Sequence, residues 1–197
     1  MEQIGPINLI CAMVLGALLG RACWTDTRLR RIPNRLVLAG ALTGLALNTL
    51  LPVGTGLFSA TPGGIGLLNA LGGCALGLGA LLPLYAMRTM GAGDVKLMAM
   101  IGAFLGPVDI VGAVVMTLLA GGILGLAVAL KNGVLRSTLT KVRAMITQTA
   151  IMALTGQGAQ IDTMPASAAG TLPYALAITT GTCVQILLAR SGHALFS

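Results

Sequence analysis

A polytopic, all-α membrane bundle of six transmembrane helices is the fold class this sequence predicts, and three observations carry the prediction. Of 197 residues, 56% are hydrophobic and only 9% are charged, against about 25% charged in ordinary soluble domains; the mean hydropathy is +0.93. Charge-free stretches recur at the length of roughly 20 apolar residues that a bilayer-crossing helix needs. The basic residues collect in short connections between those stretches, the pattern of cytoplasmic loops.

Taken in order, the first helix is expected over 4–23, because Gln3 to Gly20 carries no charge. Its flank holds Glu2 rather than a basic cluster and no small-x-small cleavage site follows, so it reads as a retained helix, not a removed signal. Leu36 to Met87 is one charge-free run, enough for two helices over 36–52 and 65–86 around a loop at Pro52 to Gly64. The fourth helix, 95–106, is short: only Leu97 to Val108 is charge-free, about 18 Å at 1.5 Å per residue against a hydrocarbon core of roughly 30 Å. It is either re-entrant or crosses with Lys96 reaching to the interface. The fifth helix covers 109–130 and the sixth 172–189.

Charge bookkeeping favours a crossing fourth helix. Loops 21–35, 88–96 and 131–143 then share one side and collect Arg21, Arg28, Arg30, Arg31, Arg35, Arg88, Lys96, Lys131, Arg136, Lys141 and Arg143, leaving only Arg190 opposite. That makes the loaded side cytoplasmic and puts both termini outside. The chain is expected to form one membrane-embedded domain over 1–197, with 131–170 a cytoplasmic loop. Within that loop, 134–146 reads as a basic amphipathic helix on the anionic lipids of the cytoplasmic leaflet, and 156–170 as a flexible connection. Small residues recur four apart at Gly16/Gly20, Gly40/Gly44, Gly73/Gly77, Gly102/Gly106 and Gly121/Gly125. Such pairs permit close helix approach, within one bundle or in a homo-oligomer.

Several chemistries are excluded. An aromatic content of 3% provides no stacking platform for bases, so the net charge of +7 does not indicate nucleic acid. Cys11, Cys23, Cys74 and Cys183 form no Cys-x-x-Cys pair and read as apolar packing. The single histidine, His193, lies beyond the last helix, and neither Gly-x-Ser-x-Gly nor His-Glu-x-x-His occurs. Two local carboxylates with Asn34 fall short of a divalent-metal shell; no metal or other cofactor is expected.

The acidic residues number five: Glu2, Asp26, Asp94, Asp109 and Asp162. Asp26 and Asp94 fall at helix ends on one predicted face. Each alone has a structural explanation, Asp94 as a helix N-cap after Gly-Ala-Gly and Asp26 as a counter-ion among arginines. Together, in a lipid setting where ionisable groups are costly, they form the pair an aspartic protease requires. One ionised carboxylate takes a proton from water while its protonated partner polarises the scissile carbonyl, and the roles belong to the pair. Gly91 and Gly93 would let the backbone turn tightly beside the cleft, and the start of the fourth helix adds positive potential at Asp94.

Two motifs now carry a family resemblance: Gly91-Ala92-Gly93-Asp94 followed by Val95-Lys96-Leu97, and Asp26 with Ile32-Pro33-Asn34 downstream. With the predicted spans, the chain resembles the type IV prepilin peptidases, and Leu172-Pro173-Tyr174 is similar to that family's approach to its last helix. The resemblance implies a membrane aspartic endopeptidase with Asp26 and Asp94 as the catalytic pair and Gly91, Gly93, Lys96, Pro33 and Asn34 shaping the site. Taken alone, Pro33-Asn34 also reads as a turn and cap before the second helix. The implied substrates are prepilins or pseudopilins, cut after a glycine and before a hydrophobic helix, at the cytoplasmic face of the bacterial inner membrane. Longer members carry an insertion with paired cysteines and an N-methyltransferase activity; this chain lacks the pairs and resembles the short peptidases of Flp or tight-adherence pili. A cation- or proton-coupled transporter is the competing reading, although transporter carboxylates usually sit near the midplane of repeated halves; a non-catalytic assembly scaffold would need neither aspartate.

Overall fold

The computed structural model describes residues 6–58, 63–87, 90–131, 147 and 174–191. The chain divides into two compact units, Met1–Gly121 with Pro173–Ser197, and Gly122–Leu172. Five helices occur among the described residues: α1 (Pro6–Leu29), α2 (Asn34–Leu50), α3 (Leu67–Ala86), α4 (Ala92–Lys131) and α5 (Tyr174–Arg190). Segments Asn8–Leu29, Leu67–Ala86 and Ala92–Val128 are each long and apolar enough to cross a membrane, and α5 is a shorter apolar helix. Leu38, Leu68, Ile123 and Leu187 are among the large apolar side chains left exposed. An apolar exterior on this scale is what a helix bundle presents to lipid. The chain is an integral membrane protein.

The core is the first half of α4. Leu97, Met98, Met100, Ile101, Ala103 and Phe104 are all at 0% exposure. Glycines on its neighbours let it be enclosed. A side chain at Gly40 would run into Met100, and one at Gly44 into Phe104 and the Ala103 backbone. Gly73 lies against the backbones of Gly102 and Gly106, and Gly77 against the Met98 carbonyl. The short fourth helix of the sequence reading is therefore enclosed by protein on its buried faces.

Gly106 ends that buried half. Its φ of 83° and ψ of −179° interrupt the helical conformation inside α4, a backbone state glycine adopts without a Cβ penalty. Pro107 then begins the second half, where its missing N–H and fixed φ suit a first helical position. The predicted division between 95–106 and 109–130 falls at this break. It exposes carbonyls at depth, and Asn48 answers them: its Nδ2 donates to Ala103 O at 2.8 Å and Phe104 O at 3.2 Å, while its Oδ1 accepts from Ile65 N at 3.2 Å. Gly66 N also donates to the Asn48 carbonyl at 3.0 Å, and a parallel bridge between Val53 and Gly64 closes the connecting loop. Asn48→Leu removes three side-chain hydrogen bonds to backbone groups; we expect a loss of about 2 kcal/mol, measured as unfolding free energy in mixed micelles.

Helix boundaries depart from expectation at the two motifs. α1 runs to Leu29 rather than to 23, so Asp26 is helical and not in a loop. The hydroxyls of Thr25 and Thr27 bond back to carbonyls one turn earlier, and the Arg30 N–H, at φ 51°, closes the helix on the Asp26 carbonyl at 2.9 Å. α4 begins at Ala92, so Asp94 sits inside its first turn. The amphipathic helix expected over 134–146 lies outside the described residues.

Candidate active site

Asp26 and Asp94 arrive from different helices by different local logic. Asp94 is the third residue of α4, and Gly91 precedes the helix. Its carboxylate Oδ2 accepts the Gly91 N–H at 3.2 Å while its own N–H donates to Gly91 O at 3.1 Å, the reciprocal bonding of a helix start. Asp94 is only 8% exposed. Asp26 occupies the last turn of α1, partly buried. Its Oδ2 accepts the backbone N–H of Ala175, the second residue of α5, at 3.2 Å across 149 positions of sequence.

The two carboxylates lie within electrostatic reach of one another. Two like-charged groups in a partly desolvated site are costly to ionise together, so such a pair can share one proton and activate a water molecule. Tyr174 stands in electrostatic reach of Asp94, with its ring edge against Gly121 of α4. Cys23, one turn before Asp26, is in electrostatic reach of that carboxylate and lies near Thr179 of α5, whose hydroxyl donates to Ala175 O at 2.7 Å.

The remaining sequence-predicted residues meet beside this pair. A Cβ at Gly93 would lie 3.2 Å from Ile32 Cβ, and one at Gly91 3.3 Å from Asp94 Oδ2. Lys96 Nζ donates to Asn34 Oδ1 at 3.1 Å. Pro33 holds the N-cap position of α2, where no side chain caps the helix; its carbonyl accepts from Leu36 N and Val37 N. Asn34 is therefore spent on Lys96 rather than on a cap. The α1–α2 connection and the start of α4 thus form one junction, joining two motifs separate in sequence.

Three contributors escaped sequence reasoning. The Ala175 N–H is backbone and has no residue signature. Tyr174 was visible only as part of the approach to the last helix. Cys23 and Thr179, neighbours on α1 and α5, read as ordinary apolar-helix composition. Among the described residues no group of three or more His, Cys, Asp or Glu side chains is placed to hold a metal ion.

Comparison with known proteins adds one match. The sequence model of the type IV leader peptidase family covers residues 13–130, more than half of the chain, from α1 through nearly all of α4. No curated protein and no solved structure matches.

Proposed function

Because the chain belongs to the type IV leader peptidase family and is therefore a peptidase, we propose that it is a membrane aspartic endopeptidase in which Asp26 and Asp94 activate water. Its substrates are type IV prepilins or pseudopilins, and it removes their short basic leader at the cytoplasmic face of the bacterial inner membrane. The observation that carries the reading is that two carboxylates, one from α1 and one from α4, stand in electrostatic reach of one another, each held by a backbone N–H. The distribution of basic residues supports the cytoplasmic assignment; six spans with both termini outside follow from it. Anionic lipids of that leaflet suit the basic loops.

Hydrolysis then runs as follows. The ionised carboxylate takes a proton from water, whose oxygen attacks the scissile carbonyl carbon. The protonated partner gives its proton to the carbonyl oxygen, forming a gem-diol. Collapse breaks the C–N bond, a proton passes to the departing amine nitrogen, and one shared proton remains on the pair.

Gly91, Gly93, Asn34, Lys96 and Pro33 shape this site by holding the α1–α2 connection against the start of α4. Gly93→Ala pushes on Ile32, and we expect leader removal to slow about tenfold through misplacement of Asp94. Ile32→Gly in the same chain removes the obstructing Cβ itself, which alanine would keep, and should restore most of the rate. The test of the function itself is co-expression with a prepilin, reading leader loss by mass shift and the new terminus by N-terminal sequencing. An intact precursor in the presence of folded, membrane-inserted protein would remove the proposal.

A further inference from the structure

We infer that the backbone N–H of Ala175 is a positioning group for Asp26, so that the first turn of α5 is a working part of the site. The inference rests on the reading that Asp26 and Asp94 activate water. The first N–H groups of a helix have no partner within it, and a buried one must find an acceptor elsewhere. Ala175 is at 0% exposure, and its N–H finds Asp26 Oδ2 at 3.2 Å. A donor fixed in a helix backbone has almost no freedom, so the carboxylate it holds has little either.

Three further contacts keep that donor in place. α1 and α5 pack along each other. One turn deeper, the Thr179 hydroxyl donates to Ala175 O at 2.7 Å. At the start of α5 the edge of the Tyr174 ring lies against Gly121 of α4, on the helix that carries Asp94. The first turn of α5 therefore touches both carboxylate-bearing helices. All of α5 lies beyond residues 13–130, the part matched by the family.

The test replaces the Ala175 amide by an ester, using lactic acid delivered by nonsense suppression into the full chain in proteoliposomes. The side chain and backbone length stay the same, the donor is lost, and the preceding carbonyl becomes a weaker acceptor, a change that the Leu176 control shares. An equivalent ester at Leu176, also in the first turn and partly exposed to its surroundings, serves as the control for losing a helix-terminal N–H. We expect the 175 ester to lower kcat for leader removal about tenfold, with KM changed less than twofold and thermal unfolding matching the 176 ester. A kcat within twofold of wild type, an equal loss in the 176 ester, or unfolding confined to the 175 ester would overturn the inference. The last of these would show the bond to be a structural cap only. Asp26→Asn is measured alongside: if it still cleaves, the water-activating pair itself is wrong, whereas an inactive Asp26→Asn with a fully active 175 ester removes only the role of Ala175.

Discussion

Asn in place of Asp94 or of Asp26 is expected to reduce leader removal at least about a thousandfold while leaving the protein folded. The two halves of that expectation have separate causes. An amide oxygen still accepts a hydrogen bond, so Asp94→Asn keeps the Gly91 N–H bond at the start of α4 and Asp26→Asn keeps the Ala175 N–H bond at the start of α5. Loss of stability should stay within about 1 kcal/mol. An amide cannot pass a proton between water and substrate, so the chemistry stops. Because the carboxylates act as a unit, the double variant should be no slower than either single one. Alanine at either position removes the acceptor as well, and its stability loss should exceed that of asparagine. Rates of precursor processing, with helical content and unfolding midpoints of the same samples, decide the matter.

The largest stability effect is expected at the crossing of α3 and α4. Gly102→Ala would drive its methyl group into the Gly73 carbonyl, and Gly73→Ala into the Gly102 carbonyl and the Gly106 backbone. Backbone atoms in a close-packed crossing have nowhere to move, so each change should cost about 3 kcal/mol or more and shift the buried half of α4. Gly16 and Gly20 on α1 provide the contrast. They share the four-residue spacing, yet nothing lies within 4 Å of a Cβ at either. Alanine there should be neutral or stabilising by up to about 1 kcal/mol through helix propensity. Unfolding in mixed micelles should separate the two classes cleanly.

That contrast shows what spacing in the sequence can and cannot convey. A small residue every fourth position marks where helices are able to approach, and at Gly40, Gly44, Gly73, Gly77 and Gly102 they do. It does not say which stripe is used in a given bundle. Helix positions were legible because charge-free length is set by the bilayer, and the break at Gly106-Pro107 was legible as a gap between two apolar stretches. The end of α1 was misread because arginines were taken as loop markers, whereas a helix continues past the hydrocarbon edge at no cost to them. Asn48 carried no signal within a long apolar run; its importance comes from the carbonyls of a helix distant in sequence. At the site, the Gly91–Lys96 and Asp26–Asn34 blocks are joined by the Lys96–Asn34 bond and the Gly93–Ile32 approach, contacts that neither block announces in sequence. The Ala175 donor was out of view because a backbone N–H looks the same in every residue.

The proximity and sidedness of Asp26 and Asp94 in the membrane are the central claim, and cysteine cross-linking measures both. In a chain with Cys11, Cys23, Cys74 and Cys183 replaced by serine or alanine, Asp26→Cys and Asp94→Cys are combined and treated in native membranes with a short bifunctional maleimide. The account predicts an intramolecular cross-link in high yield, and labelling of each single cysteine by an impermeant maleimide from the cytoplasmic side. Two cysteines that react singly but never with each other, or that label from opposite sides, would contradict it.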